Sequence, residues 1–157
     1  MTGDFTVGPV ALDDLQLQEL LALHLAGMHE FSPADAVHAL DLSGLAVPEL
    51  TMLGAWAAGG RLAAMGAIKR LGHRQGEVKS MRTHPDFLRQ GAAAALLDAI
   101  IARARDEGLE RLSLETGSGA VFEPALALYR KRGFAHGEAF AGYTATAFNQ
   151  FLHMQLG

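Results

Sequence analysis

The feature that most constrains the fold is a predicted strand, a glycine loop, a long amphipathic helix and a second strand, in that order. The strands are Glu77–Thr83 and Arg111–Thr116, and the loop contains Gly91. The apolar residues that recur at the helical period between them are Leu97, Ile100, Ile101 and Ala104, and Gly108 ends the helix. Strands joined by such a crossover pair in parallel with a right-handed connection. We therefore predict a ligand site beyond the carboxyl ends of these strands, near Gly91.

The other predicted elements make the rest of the sheet antiparallel and place helices on both of its faces. Asp13 and Gln16 have the spacing of a capping box, which opens a helix that runs to about His29. Two further helices begin at Ser32-Pro33 and at Pro124. The remaining predicted strands are Phe5–Val7, Thr51–Ala57, Leu62–Arg70, Phe134–Phe140 and Phe148–Leu156, with a glycine hairpin turn at Ala58–Arg61. The sequence thus predicts one α/β domain over residues 1–157, with a mixed, mostly antiparallel sheet.

Composition and charge exclude several classes of protein. The 157 residues are 50% hydrophobic and 19% charged, as in a globular protein rather than a disordered chain. The net charge of -4 argues against nucleic acid as a partner. No apolar run reaches the ~18 residues that a membrane span needs. The chain contains no cysteine, which fits a reducing cytoplasm. Its seven histidines show no metal-ligand spacing, so we predict no metal site.

The loop before the long helix has the composition of a phosphate-binding site. A helix N-terminus offers backbone N–H groups without intrahelical partners and the positive end of the helix dipole. Gly91, Ala92 and Ala93 have almost no side chain, so a phosphate could approach those N–H groups closely, and Arg89 adds positive charge beside them. Small residues at a helix start also allow close packing on a sheet. Composition alone leaves both interpretations open.

Two segments resemble the signatures of the GNAT superfamily of N-acetyltransferases. The stretch Leu88-Arg89-Gln90-Gly91-Ala92-Ala93 is similar to the acetyl-CoA signature Gln/Arg-x-x-Gly-x-Gly/Ala, with Leu88 in place of the first Gln or Arg. The pair Leu128-Tyr129, which precedes Gly133-Phe134, is similar to the second signature, in which a Leu-Tyr pair precedes Gly-Phe. In element order, the resemblance extends from about Thr51 to the C-terminus.

The resemblance implies transfer of an acetyl group from acetyl-CoA to a primary amine, which we expect to belong to a small molecule. In the family, the parallel strands part at the signature, pantetheine pairs with the edge of the first strand, and the diphosphate rests on the helix start. The residues implied to bind acetyl-CoA are Met81, Arg82, Thr83, Arg89, Gln90, Gly91, Ala92 and Ala93. Leu88 removes a side-chain contact to the phosphate, whereas the main-chain N–H donors remain.

Three residues are implied candidates for proton transfer. Glu77 lies where many relatives carry a carboxylate base acting directly or through water, although an exposed strand Glu paired with Lys79 or Arg70 is the structural alternative. Glu115, on the partner strand, is the competing base or orients the amine. Tyr129 matches the tyrosine that protonates the departing thiolate, and a buried tyrosine that anchors its helix is the alternative.

Two other activities remain open at this point. Leu88 favours a non-catalytic acyl-CoA-binding or sensing module, and the same fold could instead acetylate a protein N-terminus or lysine. Specificity is expected to come from the first helices and from the loop Phe140–Phe148, in which Tyr143 is a candidate pocket residue. The expected partner is a small-molecule amine, with no nucleic acid and no membrane, and the protein could form a homodimer.

Overall fold

The computed structural model describes residues 4–31 and 45–156. Its strands are β1 (Thr6–Pro9), β2 (Leu50–Trp56), β3 (Leu62–Gly72), β4 (Gln75–Thr83), β5 (Arg111–Thr116), β6 (Ala135–His136) and β7 (Gln150–Gln155). Its helices are α1 (Leu15–Phe31), α2 (Ala92–Asp106) and α3 (Glu123–Lys131), and short 3₁₀ turns at Pro85–Phe87 and Ala120–Phe122 precede α2 and α3. The helix predicted from Ser32-Pro33 lies outside the described residues. None of the described helices is long and apolar enough to cross a membrane.

The strands form one seven-stranded sheet in the order β1-β2-β3-β4-β5-β7-β6. All neighbouring strands are antiparallel except β4 and β5, which run parallel. This confirms the predicted mixed α/β fold. The parallel ladder joins Gln75–Glu77 to Arg111–Ser113, whereas β4 continues to Thr83 and β5 continues to Thr116. The two strands therefore part beyond the ladder, and the edge of β4 that faces β5 is left open there.

A β-bulge shifts the alternation of β4 where the strands part. The register with β3 places Ser80 and Met81 opposite Gly66 alone. Ser80 has a left-handed φ of 58°, and Gly66 leaves space for the sulfur of Met81, which would lie 2.3 Å from a Cβ at this position. Because of the extra residue, Arg82 lies on the same face of the sheet as Lys79.

The helices cover both faces of the sheet. On one face, α2 and α3 bury a core that includes Leu96, Leu97, Ile100, Leu112, Leu126 and Leu152. On the other face, α1 packs over β2 and β3, and the apolar residues in this second cluster include Leu17, Leu20, Met52 and Met65. Burial of each such side chain contributes roughly 1.5–3 kcal/mol. On this second face, Phe140 of the segment 137–149 packs against Phe151 of β7 at 5.9 Å between ring centroids.

The N-cap of α1 is one residue later than predicted. Oδ1 of Asp14, not of Asp13, accepts a hydrogen bond from the Leu17 N–H at 3.1 Å, because α1 begins at Leu15 and Leu17 is its third residue. Gln16 therefore takes no part in a capping box. Its side chain reaches the β2–β3 turn, where it accepts from the Leu62 N–H at 2.8 Å and donates to the Gly60 carbonyl at 3.0 Å.

The strand predicted at Phe134–Phe140 is reduced to the two residues of β6. Gly137 lies against the ring of His153, where a Cβ would be 2.5 Å from the nearest ring carbon. Beyond it, Ala141 and Gly142 have φ values of 49° and 81°. These left-handed conformations turn the chain back across the sheet, so the apolar residues here belong to a packed loop rather than to a strand.

Candidate active site

A buried cluster of polar side chains lies on the α1 face of the sheet, where β4 and β5 part. Glu77 is the last residue of β4 in the parallel ladder, and only 3% of its surface is exposed. Its Oε2 accepts hydrogen bonds from the Tyr143 hydroxyl at 2.6 Å and from Lys79 Nζ at 3.1 Å. Lys79 Nζ also donates to the Tyr143 oxygen at 2.6 Å. The three side chains form a closed triangle of hydrogen bonds, which we call the Glu77 triangle.

The Glu77 triangle includes one of the two structural partners considered for Glu77. Lys79 forms the ion pair, and its side chain is itself only 10% exposed. Arg70 does not reach Glu77, because its guanidinium is engaged by Glu107, the C-cap residue that follows α2. A charged pair this well covered needs its additional hydrogen bonds, here from Tyr143, to offset the loss of hydration.

Tyr143 is held in the Glu77 triangle by the loop between β6 and β7. Its ring packs edge-on against Phe140 at 5.2 Å and lies 6.1 Å from Phe151. Burial, followed by the negative charge of Glu77, its hydrogen bond and the charge of Glu115, raises the pKa of the Tyr143 hydroxyl above its usual range. The hydroxyl is therefore protonated at neutral pH and donates to Glu77.

Glu115 lies beyond the parallel ladder on β5 and is half-buried. Its Oε2 accepts a hydrogen bond from Asn149 Nδ2 at 3.2 Å. Asn149 is fixed in turn, since it donates to the Thr144 carbonyl at 3.0 Å and accepts from the Thr146 N–H at 2.8 Å. The negative charge of Glu115 also raises the pKa of the Tyr143 hydroxyl. Both candidate carboxylates therefore favour the protonated form of the same hydroxyl.

Tyr129 lies on the opposite face of the sheet, in the core under α3. It is 6% exposed, and its ring meets Phe134 edge-on at 5.8 Å. Burial raises the pKa of its hydroxyl to about 12. Among residues 4–31 and 45–156, none hydrogen-bonds this hydroxyl. The oxygen is not among the fully buried polar atoms that lack a partner, so water or a ligand can reach it.

The start of α2 has the geometry of an anion-binding site. Gly91 is the N-cap in a left-handed conformation with φ 90° and ψ 7°, and no side chain caps the helix. Arg89 is also left-handed, with φ 62°. Left-handed residues before a helix turn consecutive N–H groups toward one point. The side chain of Leu88 is 57% exposed and leaves these main-chain donors unchanged. The predicted residues that the structure brings together here are Arg89, Gln90, Gly91, Ala92 and Ala93.

The other predicted cofactor residues, Met81, Arg82 and Thr83, lie along the open edge of β4. Next to them, the buried Ser80 Oγ has no hydrogen-bond partner within the described parts of the chain. An extended ligand with amide groups could pair with this edge as an added strand. The open edge and the uncapped helix together fit the pantetheine and diphosphate of acetyl-CoA. Within the described residues 4–31 and 45–156, no group of three or more His, Asp or Glu could hold a metal ion.

Sequence reasoning missed part of this site. Lys79 was expected only as an ion-pair partner, and Asn149 was not considered. The one local signal for Asn149 is the spacing Thr146-x-x-Asn149, which is typical of a turn closed by side chains. The position of Tyr143 next to Gly142 did indicate a loop residue at the site.

Comparison with known proteins identifies the family. The model of the acetyltransferase (GNAT) family matches residues 16–134. The chain belongs to this family. This GNAT protein is 43% identical to the uncharacterized N-acetyltransferase YedL of Escherichia coli over 152 residues, 97% of this chain and 95% of YedL. It is 47% identical to the uncharacterized N-acetyltransferase YsnE of Bacillus subtilis over 137 residues, 85% of this chain and 90% of YsnE.

A solved structure supports the same assignment. A Klebsiella pneumoniae protein described as an acyl-CoA N-acyltransferase matches this GNAT protein with a TM-score of 0.82 at 29% identity, and the match covers 98% of each chain. The predicted resemblance is thus confirmed, and the protein is an acetyltransferase.

Proposed function

We propose that this GNAT enzyme transfers an acetyl group from acetyl-CoA to the primary amine of a small molecule, in a ternary complex. The observation that carries the proposal is the parting of β4 and β5. The uncapped N-terminus of α2 follows β4 in the chain, and the Glu77 triangle lies on the α1 face of the sheet. Bound acetyl-CoA supplies an activated thioester. The chain itself must then orient both substrates, receive a proton from the amine and stabilise the departing thiolate.

Acetyl-CoA binding is assigned mainly to the main chain. The N–H groups at the start of α2, after Gly91, would hold the diphosphate, and the exposed Arg89 side chain adds positive charge. The open edge of β4 at Met81–Thr83 would hold the amides of pantetheine. These donors do not depend on side-chain identity, so the presence of Leu88 does not remove them.

Glu77 is the proposed base, and we expect it to act through Tyr143 or a water molecule. At 3% exposure it has almost no surface for direct contact with a substrate. Its Oε2 already accepts a hydrogen bond from the Tyr143 hydroxyl at 2.6 Å. A proton from the amine could therefore pass to the phenol oxygen while the phenol proton moves to Glu77. Glu115 is the competing base, or it attracts the ammonium form of the acceptor.

Tyr129 is the proposed donor to the sulfur that leaves. With a pKa of about 12, its hydroxyl is protonated at every pH at which the enzyme would work. A thiol is the stronger acid, with a typical pKa of about 8.5. Tyr129 would therefore stabilise the thiolate mainly by a hydrogen bond, and its contribution to the rate should be modest.

The test is amine-dependent release of free CoA. The enzyme, acetyl-CoA and a panel of small primary amines should release thiol at a rate that depends on which amine is present. Acetyl-CoA binding without release for any amine would show a binding module instead. Acetylation of protein N-termini or lysines, seen as a mass shift of intact candidate proteins without acetylation of small amines, would show a protein acetyltransferase.

Because the chain contains no cysteine, we expect this activity in the reducing cytoplasm.

A further inference from the structure

Arg82 places a positive charge on the α1 face of β4, the face that carries the Glu77 triangle. Its Nε donates to His24 Nδ1 at 3.1 Å, and its Nη2 donates to the His24 carbonyl at 3.2 Å. Burial, followed by the charge of Arg82, lowers the pKa of His24 to about 4. His24 is therefore neutral at pH 7, and both acceptors of Arg82 are uncharged.

The surroundings of Arg82 differ from those of the ion-paired arginines of the same chain. Arg61, Arg70 and Arg132 each contact a carboxylate, from Asp86, Glu107 and Asp98 respectively. Within the described residues, no carboxylate lies within 4.0 Å of the Arg82 guanidinium, although Arg82 is half-buried. A partly buried cation without a counter-ion is unfavourable unless a ligand supplies the negative charge.

A glycine inside α1 makes room for this guanidinium. A Cβ at Gly27 would lie 2.5 Å from Arg82 Nη2 and 3.3 Å from both Cζ and Nη1. Glycine is among the least favourable residues inside a helix. Its presence at the point where α1 crosses Arg82 is explained by the space that the guanidinium needs. The structure thus keeps Arg82 in place and leaves its Nη1 with no acceptor among residues 4–31 and 45–156.

We propose that Arg82 binds a carboxylate of the acceptor, so that the substrates are amino acids, with an amine and a carboxylate joined by a short carbon chain. This inference rests on the proposed function. Along β4, Arg82 lies three residues beyond Lys79 on the same face, roughly 10 Å at about 3.3 Å per residue. A small acid held by Arg82 would direct its amine toward the Glu77 triangle. The planar guanidinium matches the geometry of a carboxylate.

The test is a calorimetric titration of the CoA-loaded enzyme, because it needs no turnover. The ligands are the common amino acids, β-alanine and γ-aminobutyrate, each compared with its own primary amide. We expect at least one acid to bind ~10-fold or more tightly than its amide. The measured quantity is the ratio of the Kd of the amide to the Kd of the acid. In Arg82→Gln this ratio should fall to about one, and in Arg82→Lys it should be intermediate. Gly27→Ala should lower the ratio by displacing the guanidinium. The matched control Arg105→Gln, on the exposed surface of α2, should keep the ratio of the wild type.

Three results would overturn the proposal: no acid binds, acids bind no more tightly than their amides, or the ratio survives in Arg82→Gln. An acid and its amide also differ in the basicity of their amine. This difference is the same for every variant, so it cancels when the ratio of one variant is compared with that of another. Should Arg82→Gln fail to fold, Arg82→Lys and Gly27→Ala still decide the question through the same ratio. Failure of the proposed function is distinguishable, since it would appear as absent acetyl-CoA binding or absent amine-dependent CoA release.

Discussion

The two faces of β5 and β7 have different compositions and different tasks. Toward α2 and α3, the buried residues of these strands are Leu112, Leu114 and Leu152. At the same level on the opposite face lie Ser113, Glu115 and His153, whose polar atoms have assigned partners, together with the aromatic ring of Phe151. Ser113 Oγ lies 2.7 Å from His153 Nδ1, and His153 Nε2 lies 2.7 Å from the Glu138 carbonyl.

The difference separates stability from chemistry within one sheet. The apolar face depends on burial, which stabilises the fold roughly in proportion to the apolar area removed from water. The polar face depends on complete hydrogen bonding, because a buried polar group that loses its partner is destabilising. Mutations on the apolar face should therefore change mainly the free energy of unfolding, and mutations on the polar face should change mainly the rate of the reaction.

The largest effect is expected from Leu112→Ala on the apolar face. Leu112 is fully buried, so its truncation should lower the free energy of unfolding by about 4 kcal/mol. Affinity for acetyl-CoA per folded molecule should stay unchanged. Urea denaturation and calorimetry measure the two quantities. The matched control Ser113→Ala, one residue away on the polar face, should lower stability by only about 1–2 kcal/mol. Equal losses for the two variants would contradict the division between the faces.

The second effect is a pH dependence of stability caused by His24. Its pKa is 6.5 in an unfolded chain and about 4 in the folded enzyme, so between these values the unfolded state binds the proton more readily. The free energy of unfolding should be unaffected above pH 6.5 and should fall by about 3 kcal/mol as the pH drops to 4. Other groups also titrate in this window, so the test compares urea denaturation of the wild type with that of His24→Asn. The variant should lose less stability on acidification, and parallel curves would exclude His24 as the cause.

On the polar face, Glu77→Gln should lower kcat by ~10²-fold, equivalent to about 2.7 kcal/mol. The loss should be greatest at low pH, where the amine is protonated, and small where free amine is abundant. Tyr143→Phe should cause a similar loss, and the double variant should be little worse than either single one. The matched control Glu110→Gln, on an exposed carboxylate, should have the wild-type pH–rate profile. That same profile in Glu77→Gln would assign the base to Glu115 or to solvent.

The smallest effect is expected from Tyr129→Phe, which tests whether one residue of the apolar face also takes part in the chemistry. The substitution keeps the buried ring and removes only a hydroxyl that no described residue hydrogen-bonds. We expect kcat to fall by about tenfold or less, with acetyl-CoA affinity and melting temperature nearly unchanged. A melting temperature that drops while turnover per folded molecule stays at the wild-type rate would show that Tyr129 is a packing residue.

Local patterns predicted most of the fold, because its central unit is encoded locally. The period of the long helix, the glycine turn between β2 and β3 and the residues at the start of α2 lie within short windows of sequence. The loop between β6 and β7 was assigned partly to a strand, because its path depends on the left-handed residues Ala141 and Gly142 and on packing against β7.

The polar site could not be predicted in the same way, because it depends on long-range contacts and on one inserted residue. Tyr143 and Glu77 are 66 residues apart in sequence, and no local pattern joins them. Strict alternation along β4 from Glu77 would place Arg82 on the face of α2. The bulge at Ser80 reverses that placement and brings Arg82 to His24.

The central claim is that the open strands and the start of α2 form the acetyl-CoA site, and calorimetric titration with acetyl-CoA tests it most directly. Gly91→Asp would add a carboxylate against the diphosphate and block the N–H groups. The matched control is Gly72→Asp at the end of β3, since Gly72 has nearly the same φ, 87° against 90°. The account predicts that wild type and Gly72→Asp bind acetyl-CoA alike and that folded Gly91→Asp binds at least ~10-fold more weakly, about 1.4 kcal/mol. Equal affinity in all three proteins, or no binding by the wild type, would contradict it.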